Sequence, residues 1–352
     1  MPILDYNDPA QMARYQKFLH DSPYAGFMQS PAWAEVKQEW DSVIVYIEED
    51  EKITAGMQVL IRQIPLLRVS LLYAPQGPVC DPARLAAVQK LIEETGPIAK
   101  KHRAFALIFD PKTPACEALA ERYRQANFRV TGADAARNRL IQPIYHMVLP
   151  LAGRSREAII AGFCEKTRYN LRLSGRHNIE VRFSRSEEDL LCFYRMYRIT
   201  AERDRFFCRP YSYFRRMLYA YGEEELRIYI AEYGGTALCG AIAMNYGGEL
   251  YYLYGASTNE QRRRMPNYAM QMAMIDWGLS TGCRTYHFGG LLKPSPENGL
   301  YRFKAGFCGS EGCIPYIGEI AYVWRKLPWR LYSVLLPLLR SVRQKIRGMH
   351  IR

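Results

Sequence analysis

A chain of 352 residues, 49% hydrophobic and 13% aromatic, buries a large core and is long enough to divide into two domains. No apolar run approaches the ~18 residues of a spanning helix, and Met1-Pro-Ile-Leu-Asp-Tyr-Asn-Asp lacks the basic and apolar regions of an export signal, so a soluble, unexported protein is expected. The formal charge of +13 is concentrated at one end: residues 321–352 carry eight cations and no acid, leaving +5 for the rest.

Residues 31–40 have a helical pattern, and Ser42-Val-Ile-Val-Tyr-Ile-Glu with Ile53-Thr-Ala-Gly-Met-Gln-Val-Leu-Ile-Arg forms a hairpin pattern around an acidic turn at residues 48–52. Ser70-Leu-Leu-Tyr-Ala-Pro-Gln-Gly-Pro is a strand running into a turn. A helix over residues 82–102 then leads into the buried-type strand Ala104-Phe-Ala-Leu-Ile-Phe-Asp110. After a Pro-bounded stretch at 142–150 the succession restarts, with helices over 155–163 and 166–175 and strands over 226–232, 237–246 and 249–255. A helix over 267–279 precedes the strand Thr285-Tyr-His-Phe. This is a mixed α/β (α+β) class with mixed sheets flanked by helices. The expected division is a first domain over 1–148, rejoined by 316–352, and a second over 149–315.

Each half resembles the N-acetyltransferase (GNAT) fold, in which acyl-CoA pyrophosphate lies on backbone amides of a Gly-containing loop at a helix start. The corresponding segment, Gln261-Arg-Arg-Arg-Met-Pro-Asn-Tyr268, has no glycine, which argues against a CoA enzyme. Nine scattered cysteines without a Cys-x-x-Cys suit reduced thiols rather than disulfides or a zinc site, and no metal is expected. The hydrolase, zincin, Walker and dinucleotide signatures are absent. His287, in the strand before Phe288-Gly-Gly, has the placing of a core histidine.

Arg302 and Lys304 stand among aromatic residues in Gly299-Leu-Tyr-Arg-Phe-Lys-Ala-Gly-Phe-Cys-Gly309. Cations so placed suit an anion or a developing oxyanion, while a solvated basic turn is the plainer reading. Arg168, Arg172 and Arg176 recur every four residues with Lys166 close by, either a track for RNA phosphates or a solvated face. In the tail, Leu327-Pro-Trp-Arg-Leu-Tyr-Ser-Val-Leu-Leu-Pro-Leu-Leu339 is too short to cross a bilayer. It suits the surface of an anionic membrane, or a helix packing its Leu face on the domain.

Ten segments in order resemble the Fem family of peptidoglycan aminoacyltransferases, in its compact form without a helical arm. They are Phe27-Met-Gln-Ser-Pro-Ala-Trp-Ala-Glu-Val-Lys37, Tyr73-Ala-Pro-Gln-Gly-Pro78, Phe109-Asp-Pro111, Lys166-Thr-Arg-Tyr-Asn170, Arg209-Pro-Tyr-Ser-Tyr213, Tyr252-Leu-Tyr-Gly-Ala-Ser257, Met265-Pro-Asn-Tyr268, Phe288-Gly-Gly290, the 299–309 segment and Tyr316-Ile-Gly-Glu319. The resemblance implies transfer of an amino acid from aminoacyl-tRNA to a stem-peptide amino group of a peptidoglycan precursor, either UDP-muramyl-pentapeptide or its lipid-linked form. It gives Lys37 and Arg209 the precursor diphosphate, Tyr213 and Tyr254 the lining of the same cleft, and Lys304 the reacting ester. It also favours the RNA-track reading for Lys166, Arg168, Arg172, Arg176 and Arg302.

Such a reaction starts from an activated ester, so it needs no cofactor, ATP or metal, only orientation and oxyanion stabilisation. Asp110, ahead of Pro111, is a candidate to orient the ammonium or take its proton, and equally a turn former. Two other readings stay open: an acyl-CoA-dependent N-acyltransferase, and a non-catalytic RNA- or membrane-binding module. The expected location is the cytoplasm, at the inner membrane face.

Overall fold

The computed structural model describes residues 3–64, 68–132 and 140–334. Contacts divide the chain into two units, Met1–Ile144 with Pro315–Arg352, and Tyr145–Ile314. In the first run the elements are α1 (Pro9–Asp21), α2 (Pro31–Val36), β1 (Asp41–Glu49), β2 (Lys52–Ile64), β3 (Val69–Ala74), α3 (Leu85–Lys101), β4 (Ala104–Phe109), α4 (Glu117–Gln125) and β5 (Arg129–Thr131). The second unit contains β6 (Tyr145–Pro150), α5 (Arg156–Gly162), α6 (Glu165–Arg176), β7 (Glu180–Ser184), α7 (Glu187–Asp204), α8 (Tyr211–Ala220), β8 (Leu226–Tyr233), β9 (Thr236–Tyr246) and β10 (Glu249–Ser257). It continues through α9 (Pro266–Ser280), β11 (Thr285–Leu291), α10 (Gly299–Cys308) and β12 (Cys313–Pro315), after which β13 (Glu319–Val323) returns to the first.

The first unit is a six-stranded sheet in the order β1-β2-β3-β4-β13-β5. Its hairpin turns through Asp50 and Glu51, both at positive φ, the geometry that matches strand twist in a two-residue turn. β3 and β4 run parallel and stay paired from Ser70 to Phe109. Their carboxyl ends therefore lie side by side, and Pro75–Pro78 and Asp110–Pro111 leave the sheet together. Over one face α3 lays Val88, Leu91, Ile92, Thr95, Ile98 and Ala99, spaced three and four apart, onto the core. The helix keeps Pro97 inside and begins three residues later than the sequence pattern reads, because Asp81 caps a turn at Ala83 and Arg84 instead.

The second unit is a seven-stranded sheet in the order β12-β6-β11-β10-β9-β8-β7. Cys239, Ala241 and Ala243 of β9 join the core beneath α9, while Gly240 lets Met196 of α7 approach the opposite face. β10 and β11 form the sheet's parallel pair, yet their pairing stops at Tyr251 and His287 although both strands run on. Register shifts on each side, at Tyr252/Tyr254 against β9 and His287/Gly290 against β6, accompany that separation. A wedge opens between the two strands. The corresponding parallel pair of the first unit has none.

Candidate active site

The 299–309 segment, whose plainer reading taken alone is a solvated basic turn, is a helix, α10, whose start is capped by the Asn298 side chain on the Leu300 and Tyr301 amides. Two residues apart on a helix point to nearly opposite sides. Arg302 is accordingly exposed, whereas Lys304 is only 4% exposed. The two cations thus stand in separate settings. The Lys304 ammonium reaches the wedge, donating to the Gly290 carbonyl at 3.1 Å. A Cβ placed on Gly289 would stand 3.6 Å from the Tyr252 carbonyl and 3.8 Å from Lys304 Nζ, so the two strand ends and the ammonium close on one point.

Gly289 adopts φ 81°, which an L side chain takes only with strain, and this sets the carbonyl that receives Lys304. An ammonium has three donors, and here one has an acceptor and none has a carboxylate partner among the described residues. Burial pushes the Lys304 amine down to about 8. A buried ammonium with one of its three donors satisfied has the capacity to take a further oxygen.

Farther along β10 the Tyr254 hydroxyl meets that of Tyr213 at 3.0 Å, and the Arg209 guanidinium lies 4.5 Å above the Tyr213 ring. Burial raises the Tyr213 phenol well above its ordinary value, so it remains a neutral hydrogen-bonding group. Arg209 also hydrogen-bonds the Tyr254 side chain but makes no ion pair among the described residues, so its charge has no carboxylate partner there. His287 is a core residue: it stacks on Tyr251 at 4.8 Å and bonds Thr285.

In the first unit Asp110 is buried where β3 and β4 end. Its carboxylate accepts from Tyr73 Oη at 2.7 Å and the Gln76 amide at 2.6 Å. Desolvation outweighs both donors and pushes the group up to about 7. The parallel register explains why Tyr73 and Gln76, whose side chain and backbone sequence reasoning left unassigned, belong with Asp110. Their segment, Tyr73-Ala-Pro-Gln-Gly-Pro78, had carried only the resemblance. Lys37 follows the short α2, which ends at Val36 rather than Trp40, and its ammonium stands 5.1 Å over the Trp33 ring.

The arginine stripe on α6 is not uniform. Arg168 turns back to donate to the Ala161 and Phe163 carbonyls, where it caps α5, while Lys166, Arg172 and Arg176 are exposed. Of the basic tail, residues 335–352 lie outside the described residues. Residues 326–334 are helical, with Tyr332 against Phe105 at 5.4 Å and Leu327, Leu331 and Val334 at 70%, 42% and 61% exposure along one stripe. Among the described residues no helix is long and apolar enough to cross a membrane, and no cluster of metal ligands occurs.

The profile of the FemAB family matches residues 11–234 and 224–336. The UDP-N-acetylmuramoylpentapeptide-lysine N(6)-alanyltransferase of Weissella viridescens is 33% identical over 325 residues, covering 91% of this chain and 96% of that one. A lipid II:glycine glycyltransferase of Staphylococcus haemolyticus is 28% identical over 408 aligned residues, 94% and 96% of the two chains. The crystal structure of FemX superposes with a TM-score of 0.82 at 23% identity over 96% of this chain and 100% of that one. A tandem GNAT protein of clavulanic acid biosynthesis shares the fold at TM-score 0.53 and 12% identity, over 91% and 97%.

Proposed function

The chain belongs to the FemAB family, and from that premise we propose that it transfers an amino acid from aminoacyl-tRNA to a stem-peptide amino group of a peptidoglycan precursor. The observation that carries this reading is Lys304, a buried ammonium at the opening between β10 and β11 with a single protein acceptor. Attack of a neutral amine on the ester carbonyl forms a C–N bond and places negative charge on the carbonyl oxygen. A cation already desolvated stabilises that charge without solvent reorganisation. Collapse breaks the C–O bond to the ribose. One proton leaves the attacking ammonium for a base, and a second passes from the amine nitrogen to the departing ribose oxygen.

Asp110 has the properties of that base, because a carboxyl near 7 ionises in the working range and remains basic enough to accept from an ammonium. Arg209 holds a phosphate of the precursor, with Tyr213 and Tyr254 beside it, and Lys37 keeps the precursor-binding role that the family resemblance gives it. No cofactor or metal takes part. The tail brings the enzyme to anionic membrane, its exposed Leu327, Leu331 and Val334 entering the interface beside Lys326 and Arg330.

Incubation with charged tRNA pools and either muramyl-pentapeptide precursor, with mass analysis of the product, tests the proposal. Product is expected without ATP and is lost on RNase treatment. Equal activity with acyl-CoA and no RNA sinks it.

A further inference from the structure

The connection from β10 to α9 holds a 3-10 turn, Arg262–Arg264, between two non-glycine residues at positive φ, Gln261 at 45° and Met265 at 57°. With His177 and Asn259 this turn lines a recess of about 530 Å³ at the end of α6. Arg264 is fixed in place, its guanidinium 3.6 Å above the Tyr233 ring and its Nε bonded to the Gln261 amide oxygen. Arg203 takes the Asn259 amide oxygen at 3.0 Å. With both amide oxygens spent, the two side-chain amides keep N–H groups to offer. Arg262 and Arg263 are exposed and have no ion pair among the described residues. The neighbouring acid, Glu260, is not part of the lining. The recess is thus lined by donors and cations.

An anion follows from that chemistry, and the backbone narrows which kind. A pyrophosphate cradle needs free amides and close backbone approach. Here the Arg264 amide is spent on the Gln261 carbonyl, the Met265 amide on that of Arg262, and Pro266 has no N–H. The turn also has no glycine to let a compact diphosphate approach its backbone, and its exposed guanidiniums suit phosphates spread along a strand better. The recess also continues a line of cations: Arg172 lines the adjoining groove between α6 and α9, Arg176 is exposed on the last turn of α6, and His177 follows at the rim.

We propose that Arg262, Arg263 and His177 bind the phosphodiester backbone of the tRNA donor, extending a path begun by Arg172 and Arg176. The inference rests on the aminoacyl-tRNA reading and adds a binding site to it. In place of a glycine loop for a nucleotide cofactor, this unit carries a rigid arginine turn for a polyanion.

The test is binding of bulk tRNA to the full chain across a salt series. Wild type is expected to show a steep salt dependence. Arg262→Ala/Arg263→Ala removes two phosphate contacts, so the slope of log K against log salt should fall by about 1.5 and affinity at low salt by roughly tenfold. The KM for aminoacyl-tRNA rises with it while precursor KM stays unchanged. Arg262→Lys/Arg263→Lys should restore most of the slope, and Lys100→Ala/Lys101→Ala on α3 should leave it intact. If wild type binds tRNA and the double alanine variant matches its slope, the site is wrong while the tRNA reading stands. If wild type binds no tRNA, both fall. Loss of binding to phosphatidylglycerol vesicles with unchanged tRNA binding also overturns the proposal, in favour of lipid headgroups.

Discussion

Lys304 illustrates a residue kept at a cost to stability. Its amine falls from 10.5 to about 8 through desolvation, and each unit corresponds to ~1.4 kcal/mol, so the charged form is disfavoured by about 3 kcal/mol in the folded chain. Between pH 8 and 10.5 the unfolded chain holds a proton that the folded one has released, so stability rises with pH there. Lys304→Met should abolish turnover yet raise stability near pH 7 by about 1–2 kcal/mol, the orphaned Gly290 carbonyl offsetting part of the gain. Denaturant midpoints at pH 7 and 9.5 check this, and the difference should shrink at the higher pH. Lys304→Ala should lower kcat by about 100-fold or more with little change in KM. Asp110 acts when ionised and Lys304 when protonated, so activity should rise through about pH 7 and fall above about 8. Tyr73→Phe removes a donor that favours the carboxylate, and the acidic limb should move to higher pH. Arg209→Ala should raise the precursor KM and spare kcat.

At the scale of elements, the wedge depends on a glycine. Gly289→Ala should lower stability by about 1–2 kcal/mol, since φ 81° lies in the left-handed half of the map, and it should slow turnover if relieving that strain shifts the Gly290 carbonyl that receives Lys304. Thermal unfolding with steady-state kinetics measures both. Strongly periodic strands such as β4, β9 and β10 were legible from their apolar runs. Helix α10 was not: its cations, taken alone, suit a solvated basic turn, whereas the Asn298 cap and packing of Phe307 against Phe163 at 5.1 Å made it helical. Helices α7 and α8 carry several arginines and tyrosines each, and tertiary aromatic contacts such as Tyr197 with Phe214 at 5.0 Å supply what local pattern does not show. The site residues were legible as residue types with family positions. The joining of Tyr73 and Gln76 to Asp110 was not, because parallel pairing links positions 34 or more apart in sequence.

For the whole molecule, charge and apolar surface coincide at the carboxyl end. Vesicle co-sedimentation should show binding to anionic lipid that weakens with salt, and truncation after Val323 should remove it. Binding indifferent to lipid charge would return the Leu stripe to a packing role. The first unit has a further property, set by β13. That strand lies between β4 and β5, pairing Ile320–Val323 with Phe109–Ala106 on one side and Glu319–Ala321 with Thr131–Arg129 on the other. The ribosome therefore makes the whole of the second unit before it supplies the strand that completes the first sheet. Until then β4 has an open edge and β5 has no ladder partner. A chain stopped at Ile314 should leave the first unit open to protease near residues 104–131 while the second resists. The order in which the two units are completed is the reverse of the order in which they begin: the half that starts first is finished last.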